Sequence, residues 1–242
     1  MLESTHEAPQ FPATRWTVVL AAAGRGVEAR EALEELCRIY WFPLYVFARQ
    51  HGCSAEDAED ETQDFLARTA AGEILASATP QRGKLRSFLL AAFQHDLLDT
   101  CRRRNRQKRG GHLDILSIDS VSAEDRLACA TLHATPEANY DRAWAVTCLE
   151  SALGELAAEY EARGRTTLFA ALRSFIDPAS DGDCAAAAVL GLNANAQRQA
   201  VFRLRQRFRA LLRQTVANTL SNPTAEIIDE EIEALPGALS GR

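Results

Sequence analysis

"LGLNANAQRQAVFRLRQRFRALLR", residues 190–213, carries six arginines and no acidic residue, within a 242-residue chain whose formal net charge is -6. Val201, Leu204, Phe208, Leu211 and Leu212 recur in it at helical spacing, and Asn193 stands where an N-cap acceptor belongs. That spacing turns one face of a long helix toward a core and leaves the arginines outside. Just upstream, "CAAAAVL" (184–190) predicts a short helix, and Gly191-Leu192-Asn193 a tight turn.

A short helix, a glycine turn and a longer basic helix form the helix-turn-helix pattern, whose second helix enters the DNA major groove. A second basic segment, Arg82 to Arg109, holds nine lysines and arginines against Asp96 and Asp99. Two basic segments in an otherwise acidic chain neutralise phosphate locally while the body stays soluble. The six cysteines form no C-x-x-C pair and fall mostly where an apolar residue would serve, so they read as reduced, with no metal site. No apolar run approaches the ~18 residues of a membrane span. "MLESTHEAPQ" lacks the features of a signal peptide, and a cytoplasmic protein without a membrane partner is expected.

Ala, Leu, Glu and Arg dominate and β-branched residues are scattered, so the fold class is all-α. Thr14 caps a short expected helix through Ala23. The spacing of Leu33, Leu36, Tyr40, Leu44 and Phe47 predicts a helix over Glu28–Gln50, kinked or interrupted at Pro43. In "SAEDAEDETQDFLART" (54–69), Ser54 followed by Asp57 resembles a capping box. Ala58, Phe65, Leu66 and Thr69 make a narrow apolar stripe there, and the other face is acidic. Leu85, Phe88, Leu89, Ala92, Phe93, Leu97 and Cys101 predict the next helix, which ends in the basic run "RRRNRQKR". After Gly110 and Gly111 the chain loses its period until about Pro136, dividing it into two small helical domains, 1–110 and 137–220, joined by a flexible linker, 111–136. In the second, helices are predicted over Glu137–Tyr160 and Thr166–Ile176. Residues 221–242 read as an acidic flexible tail: a frayed helix, an inhibitory arm mimicking DNA charge, or a segment without a role.

"FPATRW" (11–16), "YWFPLYVFARQHG" (40–52), "DAEDETQDF" (57–65), "RGKLRSFLLAAFQH" (82–95), "QKRGG" (107–111) and the opening stretch occur in an order that resembles the extracytoplasmic-function (ECF) sigma factors of bacterial RNA polymerase. The N-terminal motifs resemble a subgroup associated with Ser/Thr protein kinases. The resemblance implies a region 2 domain that docks on core RNA polymerase and captures the minus-ten element, and a region 4 domain that reads the minus-thirty-five element. On that basis Asp57, Asp60, Glu61, Gln63 and Asp64 are the polymerase-docking residues, as clustered carboxylates suit a basic partner. The loop Thr79–Lys84 and the helix after it match the part that holds the melted strand, which assigns Gln81, Arg82, Lys84, Arg86 and His95 to promoter DNA. Arg102, Arg103, Arg104, Arg106 and Lys108 would meet backbone phosphate. Asn195, Arg198 and Gln199 are the candidates for base edges, with Arg203 and Arg205 beside them on phosphate. Region 4 departs from the family pattern at Ala185, Ala186 and Gln197, where larger aliphatic, acidic and buried valine side chains are usual. Thr62, on the docking helix, is a candidate phosphorylation site for a kinase or other regulator, against a structural role in the apolar stripe.

No Gly-rich phosphate loop, G-x-S-x-G elbow or metal-spaced histidine pair occurs, so no enzyme and no cofactor is expected. A helix-turn-helix regulator that binds DNA without polymerase, and a degenerate sigma-like adaptor that binds polymerase without reading promoters, stand as the alternatives.

Overall fold

A computed structural model describes residues 27–74, 84–107, 126–127, 135–176, 193–220 and 223–240. Outside these lie the expected helix Thr14–Ala23, the loop at Gln81 and Arg82, Lys108, most of the linker, and the helix and turn Cys184–Leu192. The described residues form α1 (Val27–Gln50), α2 (Ala55–Ala70), α3 (Leu85–Gln107), α4 (Pro136–Ala162), α5 (Thr166–Leu172) with a 3-10 turn Arg173–Ile176, α6 (Ala194–Asn218) and α7 (Ala225–Ser240), with no strand among them.

The helix starts follow from local chemistry. Ser54 Oγ accepts from the Asp57 amide at 3.1 Å, and Asn193 Oδ1 from the Ala196 amide at 2.8 Å. Thr135 Oγ1 accepts from the Ala138 amide at 3.2 Å, with Pro136 opening α4. Gly164, at φ +65°, stops α4 by adopting the left-handed conformation that favours glycine. Pro43 does not interrupt α1. Its missing amide removes one intrahelical bond, and packing on every side holds the flanking turns.

α1 organises the core because it is apolar all round in its second half: every residue from Phe42 to Ala48 is buried. A helix of that kind must be covered on more than one face. α2, α3 and α4 all pack against it. Phe47 marks the junction, with its ring centroid 6.4 Å from Phe93 of α3 and 6.4 Å from Tyr140 of α4. Asn139 Nδ2 donates to Gln50 Oε1 at 3.1 Å, and Arg38 Nη2 to Ser151 Oγ at 2.6 Å, along the same seam. The helices before and after the linker therefore share one continuous core.

The C-terminal segment differs from the flexible tail expected of it. Residues 225–240 are the helix α7, packed on α4 and α6, with Ile228, Glu231 and Leu235 buried. Their spacing gives α7 an inward stripe, which is the physical reason it docks rather than frays.

Candidate polymerase and nucleic-acid surfaces

α2 buries Ala58, Thr62, Phe65, Leu66 and Thr69 and turns its carboxylates outward. Asp57, Asp60, Glu61 and Asp64 are spaced three and four apart, so they share one helix face. Asp60, Gln63 and Asp64 are exposed, Asp57 and Glu61 partly so. Arg68 pins the C-terminal end of this face: its Nε bonds Asp64 at 3.1 Å, and its Nη2 reaches Asp96 on α3. Thr62 is 0% exposed and its hydroxyl has no hydrogen-bond partner among the described residues. A kinase cannot reach that oxygen in this arrangement, so Thr62 stands in the apolar stripe, at the turn between Ala58 and Phe65.

The basic residues of α3 divide into two groups. Lys84 and His95 are exposed, whereas the Arg86 side chain is only 15% exposed. Its Nε bonds Asp141 at 2.9 Å, its Nη1 bonds Glu231 at 2.8 Å, and its guanidinium stacks over Trp144 at 4.3 Å. Lys84 reaches the other oxygen of the same Glu231. Burial raises the Asp141 carboxyl above its ordinary range despite the neighbouring Arg86. Arg102, Arg103, Arg104 and Arg106 lie on the last turns of α3.

On α6, Asn195, Arg198, Gln199 and Arg203 are exposed, and Gln197 is half-buried. Phe202 stands among the exposed residues with 66% of its surface accessible. Arg205 instead donates to the Phe175 carbonyl at 2.6 Å, fastening α6 to the 3-10 turn. Arg207 bonds Glu159 of α4 through its Nε at 3.0 Å, and the bond holds the Glu159 carboxyl below its usual range. Arg213 pairs with Asp229 of α7.

The outward carboxylates of α2 and the exposed first turns of α6 stand as the sequence placed them. The partners of Arg86, Arg205 and Arg207 were not foreseen, because each lies far away in sequence. One signal was present for Glu231: an acid inside the apolar row Ile228, Ile232, Leu235 is a buried charge that needs cations.

The described residues hold no group of acidic, histidine or cysteine side chains arranged to bind a metal. No helix among them is long and apolar enough to cross a membrane. No curated protein and no solved structure matches the chain. A family model described as ECF sigma factor matches residues 29–175. That span runs from α1 through the 3-10 turn and includes both the acidic face of α2 and the basic helix α3. As the match covers more than half of the 242 residues, the chain belongs to the ECF sigma factor family.

Proposed function

We propose that this ECF sigma factor directs core RNA polymerase to a defined set of promoters through two contacts: the acidic face of α2 on polymerase, and the basic segments of α3 and α6 on DNA. The family is one of transcription-initiation factors that bind polymerase and DNA, and it is not a family of enzymes, which supports this reading. The observation that carries the finer reading is the division of α2, with one face fully committed to the core and the other a row of carboxylates. Such a row is suited to a basic protein surface and repels nucleic acid. Residues 1–110 would then serve docking and minus-ten capture, 111–136 the link, and 137–220 the minus-thirty-five element.

The family match stops at residue 175, before α6. That favours one second reading, an adaptor that binds polymerase but does not read the minus-thirty-five element. Run-off transcription with purified core polymerase on a library of genomic fragments tests both. Discrete transcripts sharing an upstream sequence at both elements are expected. Transcripts sharing only the minus-ten element would favour the adaptor, and none above core alone would refute the reading.

A further inference from the structure

α7 joins parts of the molecule that the sequence separates. It is seated on α4 and α6 through Ile228 and Leu235, Arg142 donates to its Leu239 carbonyl, and Asp229 pairs with Arg213. From that seat Glu231 crosses to the start of α3. Its side chain is 2% exposed, one oxygen meets the Lys84 ammonium, and the other lies 2.8 Å from Arg86 Nη1.

A carboxylate held between a lysine and an arginine sits where a phosphate would sit, since both present oxygen acceptors to the same donors. The stripe around it does not require an acid. Leucine or methionine at 231 would fill the space between Ile228 and Leu235 without the desolvation cost of a buried charge. Ionic contact of this kind yields to a competing polyanion, and an apolar contact does not. We infer that α7 is a built-in competitor for nucleic-acid phosphate: in the free chain Glu231 occupies Lys84 and Arg86, and DNA must displace it to reach them.

The inference rests on the reading that the start of α3 faces promoter DNA. It adds a control step to that reading: α7 keeps the segment closed until a ligand with several phosphate groups takes the place of the Glu231 carboxylate. Because α7 rides on α4 and α6 while Glu231 grips α3, the same contact ties the helices before the linker to those after it. The apparent affinity for DNA is then lowered by the fraction of molecules held closed.

The test uses the full chain and a fluorescently labelled single strand of mixed sequence, with binding followed by anisotropy. Glu231→Gln keeps the shape, leaves Arg86 its bond to Asp141, and removes the competing charge. Glu233→Gln, at an exposed position of the same helix, changes net charge equally without touching Lys84 or Arg86. Glu231→Gln should bind roughly tenfold tighter than wild type, as expected if about nine molecules in ten are closed. Glu233→Gln should bind as wild type does. Equal affinities for all three chains, or binding by none, overturn the inference, as does an equal gain in both variants.

Hydrogen exchange on the wild-type chain decides the matter if Glu231→Gln does not fold. Saturating the chain with the strand should speed amide exchange along Ala225–Ser240, and unchanged protection there with the strand bound overturns the proposal. Run-off transcription separates the two failures. A wild-type chain that initiates normally while Glu231→Gln shows no tighter binding removes only the competitor role. A chain that competes as described but never initiates with core removes the sigma-factor reading and leaves the competition standing.

Discussion

The Arg86 guanidinium lies 4.3 Å above the Trp144 ring while bonding Asp141 and Glu231, so one cation of α3 is held by an aromatic face and two carboxylates from α4 and α7. Removing it should cost more than an ordinary surface arginine. Arg86→Met leaves Glu231, which is 2% exposed, with Lys84 as its one remaining cation among the described residues, whereas Asp141 is 45% exposed and can rehydrate. The expected loss is therefore about 3 kcal/mol, the low end of the range for breaking a buried ion pair. Denaturant titration of the two chains measures it. A loss indistinguishable from that of Arg203→Ala, an exposed position, would show that the Arg86 contacts contribute nothing to folding.

The start of α3 also shows what a sequence conceals. Ser54, Asn193 and the stripe of α2 were legible because caps and helical spacing act within a few residues, and the helix starts agree with them. The inward turn of Arg86 was not legible. Its neighbours Leu85 and Leu89 belong to the apolar stripe of α3, but its partner Glu231 lies 145 positions away. Periodicity gives the face of a helix and not what covers it. The same limit hid α7, whose acidic composition reads as a flexible tail although Ile228, Glu231 and Leu235 form a buried stripe. The shared core of α1 and α4 had a clearer signal, the unbroken apolar run Trp41–Ala48, which is too apolar all round for one partner surface.

Asp60 and Asp64 are exposed on the acidic face of α2. Reversing both to lysine should leave the free chain folded and weaken its complex with core polymerase by at least about tenfold, the equivalent of ~1.4 kcal/mol. Size-exclusion chromatography with core, alongside circular dichroism of the free chain, reports the two quantities. Co-elution equal to wild type would mean that polymerase docks elsewhere.

The burial of Thr62 in the apolar stripe of α2 favours a packing role over a charge switch. Its hydroxyl is buried and unbonded among the described residues, so Thr62→Val should be neutral or stabilising by up to about 1 kcal/mol. Thr62→Glu places an unpaired carboxylate in the stripe and should lower the melting temperature before any effect on polymerase binding can be read. Treatment of the folded chain with a Ser/Thr kinase, followed by mass spectrometry, should leave residue 62 unmodified. A phosphate there on a chain that keeps its melting temperature would contradict the burial.

Arg198 and Arg205 stand two turns apart on α6 and should fail in different ways when truncated. Arg198 is exposed near the start of the helix, where a guanidinium can address a guanine edge through two parallel bonds. Arg198→Ala should therefore change which base is preferred at one promoter position, by ~1–3 kcal/mol, with little change in melting temperature. Arg205 is tied to the Phe175 carbonyl at 2.6 Å, and that bond orients α6 against the 3-10 turn. Arg205→Ala should cost ~1.5–3 kcal/mol of stability, the range for a hydrogen bond to a charged group, and weaken all promoters alike. Selection from a promoter library, read beside thermal melts of the same proteins, separates the two. An unchanged base preference in Arg198→Ala, with binding reduced equally across the library, would make the first turns of α6 a phosphate clamp and remove base reading from this helix.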